Sequence, residues 1–468
     1  MFGIPALVGI SVLATLSSCK SVISRCKIDE PLFLTHFIER GKWIEGQNAA
    51  RVPSLIKGKY VESYAGYLTV NKACDSNLFF WFFPAENSPS KAPLVLWLQG
   101  GPGDSSLIGT FSENGPFSVA GDLTLKRRSH YWSQELNVIY IDNPVGVGFS
   151  FTGKEACYPK DETAVGQDLY SAMVQFLQLF PGLRKNEFYI TGESYAGKYI
   201  PALGYTIHER NPHAELKINL AGLAIGNGLV DPKNMLAYSD YLPQLGLIDD
   251  NAMLILKKLE RNALDLINQE KFSDAADARI RILVMFQNIS GLINVYDYTK
   301  NDNSSTNTLY SGPIGQYLNQ TKVKRALHVG SKPFSDGNVP AAILHEDIAK
   351  SVAPWLVTLM ENYRVMLYNG QLDIIVAYPL TVNFVKRLKW SGAEEYKNAS
   401  RQIWYVDGKI AGYVKTAKNF TEVLVRNSGH MVPSDQPVWA LDLITRFTRK
   451  IPFDQPLTGN RKRVRVTA

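Results

Sequence analysis

Residues 188–197, Phe-Tyr-Ile-Thr-Gly-Glu-Ser-Tyr-Ala-Gly, are the stretch whose reading decides the fold. The first four are apolar, aromatic or β-branched and read as a buried strand, and residues 195–209 carry a helical pattern that ends before Asn211 and Pro212. A strand that turns directly into a helix leaves no room for large side chains two positions before and two after the turn residue. Gly192 and Ala196 meet that demand, although a second glycine is more usual than Ala196. Such a turn holds the Ser194 hydroxyl clear of the backbone at a helix N-terminus, which makes Ser194 the candidate nucleophile.

Working outward, short apolar runs at residues 78–83, 93–98, 137–141, 218–225, 364–368 and 402–405 read as further buried strands. Helical patterns lie between several of them, notably residues 163–180 with an acidic start. This alternation predicts a mostly parallel central sheet with helices on both faces. Between about residues 231 and 340 the pattern changes to amphipathic helices at 251–270 and 273–287 followed by a polar loop at 301–307. That stretch is expected to be a largely helical cap inserted into one domain of residues 23–468, because strand patterning resumes at 364.

A serine nucleophile needs a base. Of the seven histidines, His430 alone sits behind a strand-like segment and the flexible Asn427-Ser428-Gly429, where a loop can carry an imidazole over the turn. The orienting acid should lie between serine and histidine in the chain. Asp373 fits, since residues 364–373 read as a strand and a glycine-containing turn at the carboxyl end of the sheet. Asp142 precedes the serine, and Asp407 reads as part of an Asp-Gly hairpin turn. The oxyanion requires amide donors, and residues 93–103 supply a strand followed by Gly100 and Gly101; the donors are expected to be the amides of Gly101 and Tyr195. That loop lacks the Gly-Lys-Ser/Thr ending of a phosphate loop, and no His or Cys spacing suits zinc, so neither cofactor nor metal is expected.

The 468 residues, 45% hydrophobic and 20% charged, suit a chain with a large core. The net charge of +7 is spread and matched by acids except at residues 461–465, so nucleic acid is not an expected partner. Residues 1–18 form an uncharged apolar run suited to a signal peptide of about 22 residues rather than a stable membrane anchor. Sequons at Asn288, Asn303, Asn319, Asn398 and Asn419 agree with a secretory route and are expected in surface loops. Loss of Cys19 with the signal peptide leaves Cys26, Cys74 and Cys157, one of them unpaired.

Six blocks carry a resemblance: Trp-Leu-Gln-Gly-Gly-Pro-Gly (97–103), Glu-Asn-Gly-Pro (113–116), Ile-Asp-Asn-Pro-Val (141–145), Gly-Glu-Ser-Tyr-Ala-Gly (192–197), Asn-Gly-Gln-Leu-Asp (369–373) and Gly-His-Met-Val-Pro (429–433). In this order they resemble the serine carboxypeptidases of the α/β-hydrolase fold, and most of all the vitellogenic carboxypeptidase-like proteins. The resemblance implies release of C-terminal residues from peptides with a free C-terminus through an acyl-enzyme, in a secreted or lysosomal setting. It also implies that Trp97, Gln99, Glu113 and Glu193 bind the substrate's terminal carboxylate. Gln99 stands where most of the family has Asn, and Asp104 where many members have a Cys that ties this loop to the insertion. Three ionised carboxylates in one pocket repel, so binding is expected to improve at mildly acidic pH. An acyltransferase or a partner-protecting protein could use the same scaffold, and an acyl-acceptor assay separates the first from a hydrolase.

Overall fold

The computed structural model describes residues 30–457 except 57, 59, 293 and 302–307. Cys19, Cys26, Asn303 and the expected signal peptide therefore lie outside the described residues.

Ten strands form one sheet: β1 (Tyr64–Asn71), β2 (Ser76–Phe83), β3 (Leu94–Leu98), β4 (Asn137–Ile141), β5 (Phe188–Glu193), β6 (Leu220–Gly226), β7 (Arg364–Gly370), β8 (Gln402–Val406), β9 (Lys409–Ala417) and β10 (Phe420–Val425). They lie in the order β1-β2-β4-β3-β5-β6-β7-β10-β9-β8. All pairings from β4 through β10 are parallel, and the two flanks are antiparallel. The expected mostly parallel centre is present. Asp407 and Gly408, both at positive φ, make the tight turn between β8 and β9.

Six helices matter for the site: α1 (Glu162–Leu179), α2 (Ala196–Arg210), α3 (Asp250–Asn268), α4 (Phe272–Ser290), α5 (Ala353–Asn362) and α6 (Pro437–Arg449). The start of α1 is fixed by Asp161, whose carboxylate accepts the Ala164 amide at 2.9 Å. Alternation along the strands decides which face each residue serves. Leu94, Leu96 and Leu98 of β3 join the core shared with α1, α2 and α5, whereas Val95 and Trp97 join the opposite core with Leu443, Ile444 and Phe447 of α6. Burial on both faces makes the central strands near-continuous apolar runs, which is why they were readable.

The chain between β6 and β7 is largely helical, with α3 and α4 packed as a hairpin. Among the described residues no helix is long and apolar enough to cross a membrane. Cys74 and Cys157 form a disulfide. The sequons are not all in loops, as the sequence reading had them: Asn288 is on α4, Asn398 ends a short helix (Ala393–Asn398), and Asn319 caps another (Pro313–Leu318). Asn288, Asn319, Asn398 and Asn419 are exposed. Asn319 spends its amide internally, donating to Gly315 O at 3.0 Å and accepting Phe334 N at 3.1 Å.

Candidate active site

β5 ends in Glu193 and α2 begins at Ala196, so Ser194 sits in the tight turn between them. Its φ of 63° is left-handed, an unfavourable conformation for a non-glycine residue that surrounding bonds must hold. Ser194 N donates to Gly226 O at 3.0 Å, and Ser194 O accepts from Gly197 N and Leu229 N, each at 2.9 Å. The expected need for a small residue at 192 has a direct cause. A Cβ on Gly192 would stand 2.1 Å from Leu98 O.

Asp373 follows the end of β7, and His430 lies on the loop after β10. Strand order brings them beside the turn, with His430 Nδ1 2.8 Å from Asp373 Oδ2. Asn227 Nδ2 donates to the same oxygen at 2.7 Å, and Asn227 Oδ1 accepts Gly370 N at 3.1 Å. His430 is also held from the insertion: its amide donates to Tyr296 O at 2.7 Å, and the Tyr296 ring meets the imidazole edge-on at 5.1 Å between centroids. His430 Nε2 is buried and has no hydrogen-bond partner among the described residues. Ser194, Tyr195, Gly101 and His430 line one cleft. Nε2 is thus the basic atom free to take a proton there.

Gly100 closes the site from β3. A Cβ at Gly100 would fall 2.6 Å from Tyr195 N and 2.7 Å from Ser194 Cβ, so only glycine lets this loop lie against the turn. The amides of Gly101 and Tyr195 donate to no backbone carbonyl among the described residues. Two uncommitted N–H groups beside the serine suit an oxyanion.

Beyond them lies a cluster built on one amide. Trp97 Nε1 donates to Gln99 Oε1 at 2.9 Å, while Gln99 Nε2 donates to Glu113 Oε1 at 3.0 Å and to Glu193 Oε1 at 2.8 Å. Gln99 and Glu193 line the cleft; Trp97 and Glu113 stand behind them, fully buried. The four expected carboxylate-binding residues are therefore together, with Trp97 and Glu113 bonded to Gln99 from behind the cleft wall. Burial raises both carboxyl pKa values, and the Glu113 charge pushes Glu193 further. The two carboxyls share the Gln99 amide as donor, and the second oxygen of each is buried without a hydrogen-bond partner, a setting that favours the neutral form.

Asp104, expected as a departure from the family's cysteine, lines the cleft half-buried. Its loop is tied to the insertion by Tyr310, whose hydroxyl accepts Ser105 N at 2.9 Å and lies 3.5 Å from Asp104 Oδ1. Burial pushes the Asp104 carboxyl up to about 6. Asp142 is spent on structure: it accepts Ser105 Oγ at 2.5 Å and Phe149 N at 2.9 Å.

Sequence reasoning missed Asn227, Tyr296 and Arg279, all at or beside the cleft. Asn227 had a usable signal, a residue between glycines (226–228) at the end of an apolar strand. Tyr296 and Arg279 come from the insertion, whose packing over the sheet has no sequence signature.

Among the described residues no group of three or more His, Cys, Asp or Glu could hold a metal. Burial pushes Asp142 up to about 7 and Glu162 up to about 8, so with the Glu113–Glu193 pair the folded state binds more protons than the unfolded chain between about pH 4 and 8. The sign of linkage then makes stability fall as pH rises across that window. Thermal unfolding at pH 5 is expected at higher temperature than at pH 8. An equal or reversed order of Tm values would mean these carboxyls do not stay protonated when folded.

These features define an α/β-hydrolase. The family model described as serine carboxypeptidase matches residues 53–450. The chain is 50% identical to a venom serine carboxypeptidase of Apis mellifera, covering 90% of this chain and 92% of that protein. It is 47% identical to a vitellogenic carboxypeptidase of Aedes aegypti, covering 90% of each, and 44% identical to the human probable serine carboxypeptidase CPVL, covering 89% of each. Among solved structures it resembles a prohormone-processing carboxypeptidase from Saccharomyces cerevisiae, with TM-score 0.78 and 25% identity over 86% of this chain and 96% of that one. The chain belongs to the serine carboxypeptidase family.

Proposed function

We propose that this chain is a working serine carboxypeptidase in which Ser194 attacks the last peptide bond of a substrate, His430 takes and returns the proton, and Asp373 orients the imidazole. The amides of Gly101 and Tyr195 stabilise the oxyanion. Gln99 and Glu193, backed by Trp97 and Glu113, hold the terminal carboxylate one residue away from Ser194. The observation that carries this reading is the Glu113–Glu193 carboxyl pair joined through the Gln99 amide, with Gln99 and Glu193 in the same cleft as Ser194 and an unpartnered His430 Nε2. A general endopeptidase has no use for a carboxylate receptor beside its nucleophile. Comparing hydrolysis of a peptide acid with that of its C-terminal amide tests it: the acid is expected to be the better substrate at about pH 5.

The helical insertion, taken as residues 231–340, serves as a cap that narrows the cleft. We assign the chain to the secretory pathway, with the apolar N-terminus removed and glycans on Asn288, Asn303, Asn398 and Asn419; Asn319 is the poorest acceptor because its amide is already bonded on both sides. Protein from native tissue is expected to start between about residues 17 and 27 and to gain mobility on deglycosylation. Retention of Met1 with unchanged mobility would contradict the assignment.

A further inference from the structure

The strand order fixes which side of Ser194 each substrate residue occupies. The terminal-carboxylate cluster hangs from β3 and β5, and Ser194 follows β5. Leu229, Ile375 and Val376, from the chain beyond β6 and β7, line the other side of the same cleft. If the last residue lies toward β3, the penultimate side chain faces β6 and β7. The same cleft is lined there by Arg279 of α4, which reaches over from the insertion to donate from an Nη to Ile375 O at 2.9 Å.

Arg279 is half-buried, and its Nε is buried without a hydrogen-bond partner. Acids nearby are committed elsewhere. Asp277 pairs with His345 at 2.9 Å, Glu260 accepts both Ser239 N and Ser239 Oγ at 2.6 Å, and Asp373 holds His430 and Asn227. Arg279 has no ion-pair partner among the described residues, and the two acids that share its cleft, Asp104 and Glu193, are both pushed toward their neutral forms by burial. A guanidinium kept in a substrate cleft among Leu229, Ile348, Ile375 and Val376 without a counter-charge is costly to the free protein. An incoming carboxylate removes that cost through a charge-assisted hydrogen bond in an apolar setting.

We propose that Arg279 selects peptides whose penultimate side chain is a carboxylate, Glu or Asp. This rests on the carboxypeptidase reading above and adds its substrate class. The test uses three peptides, acetyl-Ala-Ala-X-Leu with X as Glu, Gln or Lys, at about pH 6 where the Glu side chain is ionised. The wild-type chain is expected to release Leu from the Glu peptide with kcat/KM about tenfold above the Gln isostere, and from the Lys peptide more slowly than from either. In Arg279→Met the Glu:Gln ratio should fall to about one; Arg279→Lys should keep an intermediate preference because the charge stays without the planar fork. Each ratio is taken on one enzyme sample, so any unfolded fraction cancels. A wild-type Glu:Gln ratio near one, or a preference that survives Arg279→Met, overturns the inference. Release of Leu from none of the peptides overturns the carboxypeptidase reading itself.

Discussion

Ser194→Ala is expected to cut kcat for a peptide acid by on the order of a million-fold while leaving the fold intact. On the proposed mechanism the loss is this large because the attacking oxygen is removed from a unit whose other parts, His430, Asp373 and the oxyanion amides, cannot act on the bond without it. The fold should survive, since the turn is held by backbone bonds from Ser194 to Gly226, Gly197 and Leu229 that alanine also makes. Both residues bear a Cβ, so the positive φ costs the same in each. Circular dichroism and Tm should match wild type, and a phosphonofluoridate should label Ser194 alone in the parent protein. Residual activity above a few per cent in a natively folded variant would assign the nucleophile elsewhere.

The second large effect is on pH dependence. Burial disfavours the charged forms of Glu113 and Glu193 and raises both above the usual carboxylate range, and the Glu113 charge raises Glu193 further. Below that raised range the pair is protonated and can donate to a substrate carboxylate. As pH rises through it the pair gains charge and repels the substrate. KM for a peptide acid should therefore climb by about tenfold per pH unit above the raised value, while the matching peptide amide, with no terminal charge, should show no such climb. Glu193→Gln supplies a permanent neutral donor at the cleft wall and should flatten the KM profile for the acid. KM measured from pH 4 to 8 for acid and amide decides it. Identical profiles for acid and amide, unchanged in Glu193→Gln, would remove the pair from carboxylate recognition.

Much of this was legible because the chemistry is local. The turn at Ser194 needs Gly192 for contact with Leu98 O, the loop at Gly100 needs glycine for contact with Tyr195 N, and each requirement leaves a mark in the sequence. The central strands were readable for the related reason that burial on both faces leaves them apolar throughout. β1 and β9 were not read: both are antiparallel, interrupted by glycine, and β9 alternates with solvent. The substrate side of the cleft was the hardest part. Arg279 and Tyr296 reach it from the insertion, more than 70 residues from the nearest triad member in the case of Ser194 and Arg279, through packing that no periodicity encodes. The Gln99 substitution was legible as a departure, but not that one amide could bind Trp97, Glu113 and Glu193 at once.

The central claim is removal of single residues from a free C-terminus by a serine site. Mass spectrometry of a defined peptide incubated with the protein at about pH 5 tests it most directly. The expected spectrum is a ladder that loses one C-terminal residue at a time, absent with Ser194→Ala and slowed when the peptide is amidated. Internal fragments with an intact C-terminus, or an unchanged peptide, would contradict it.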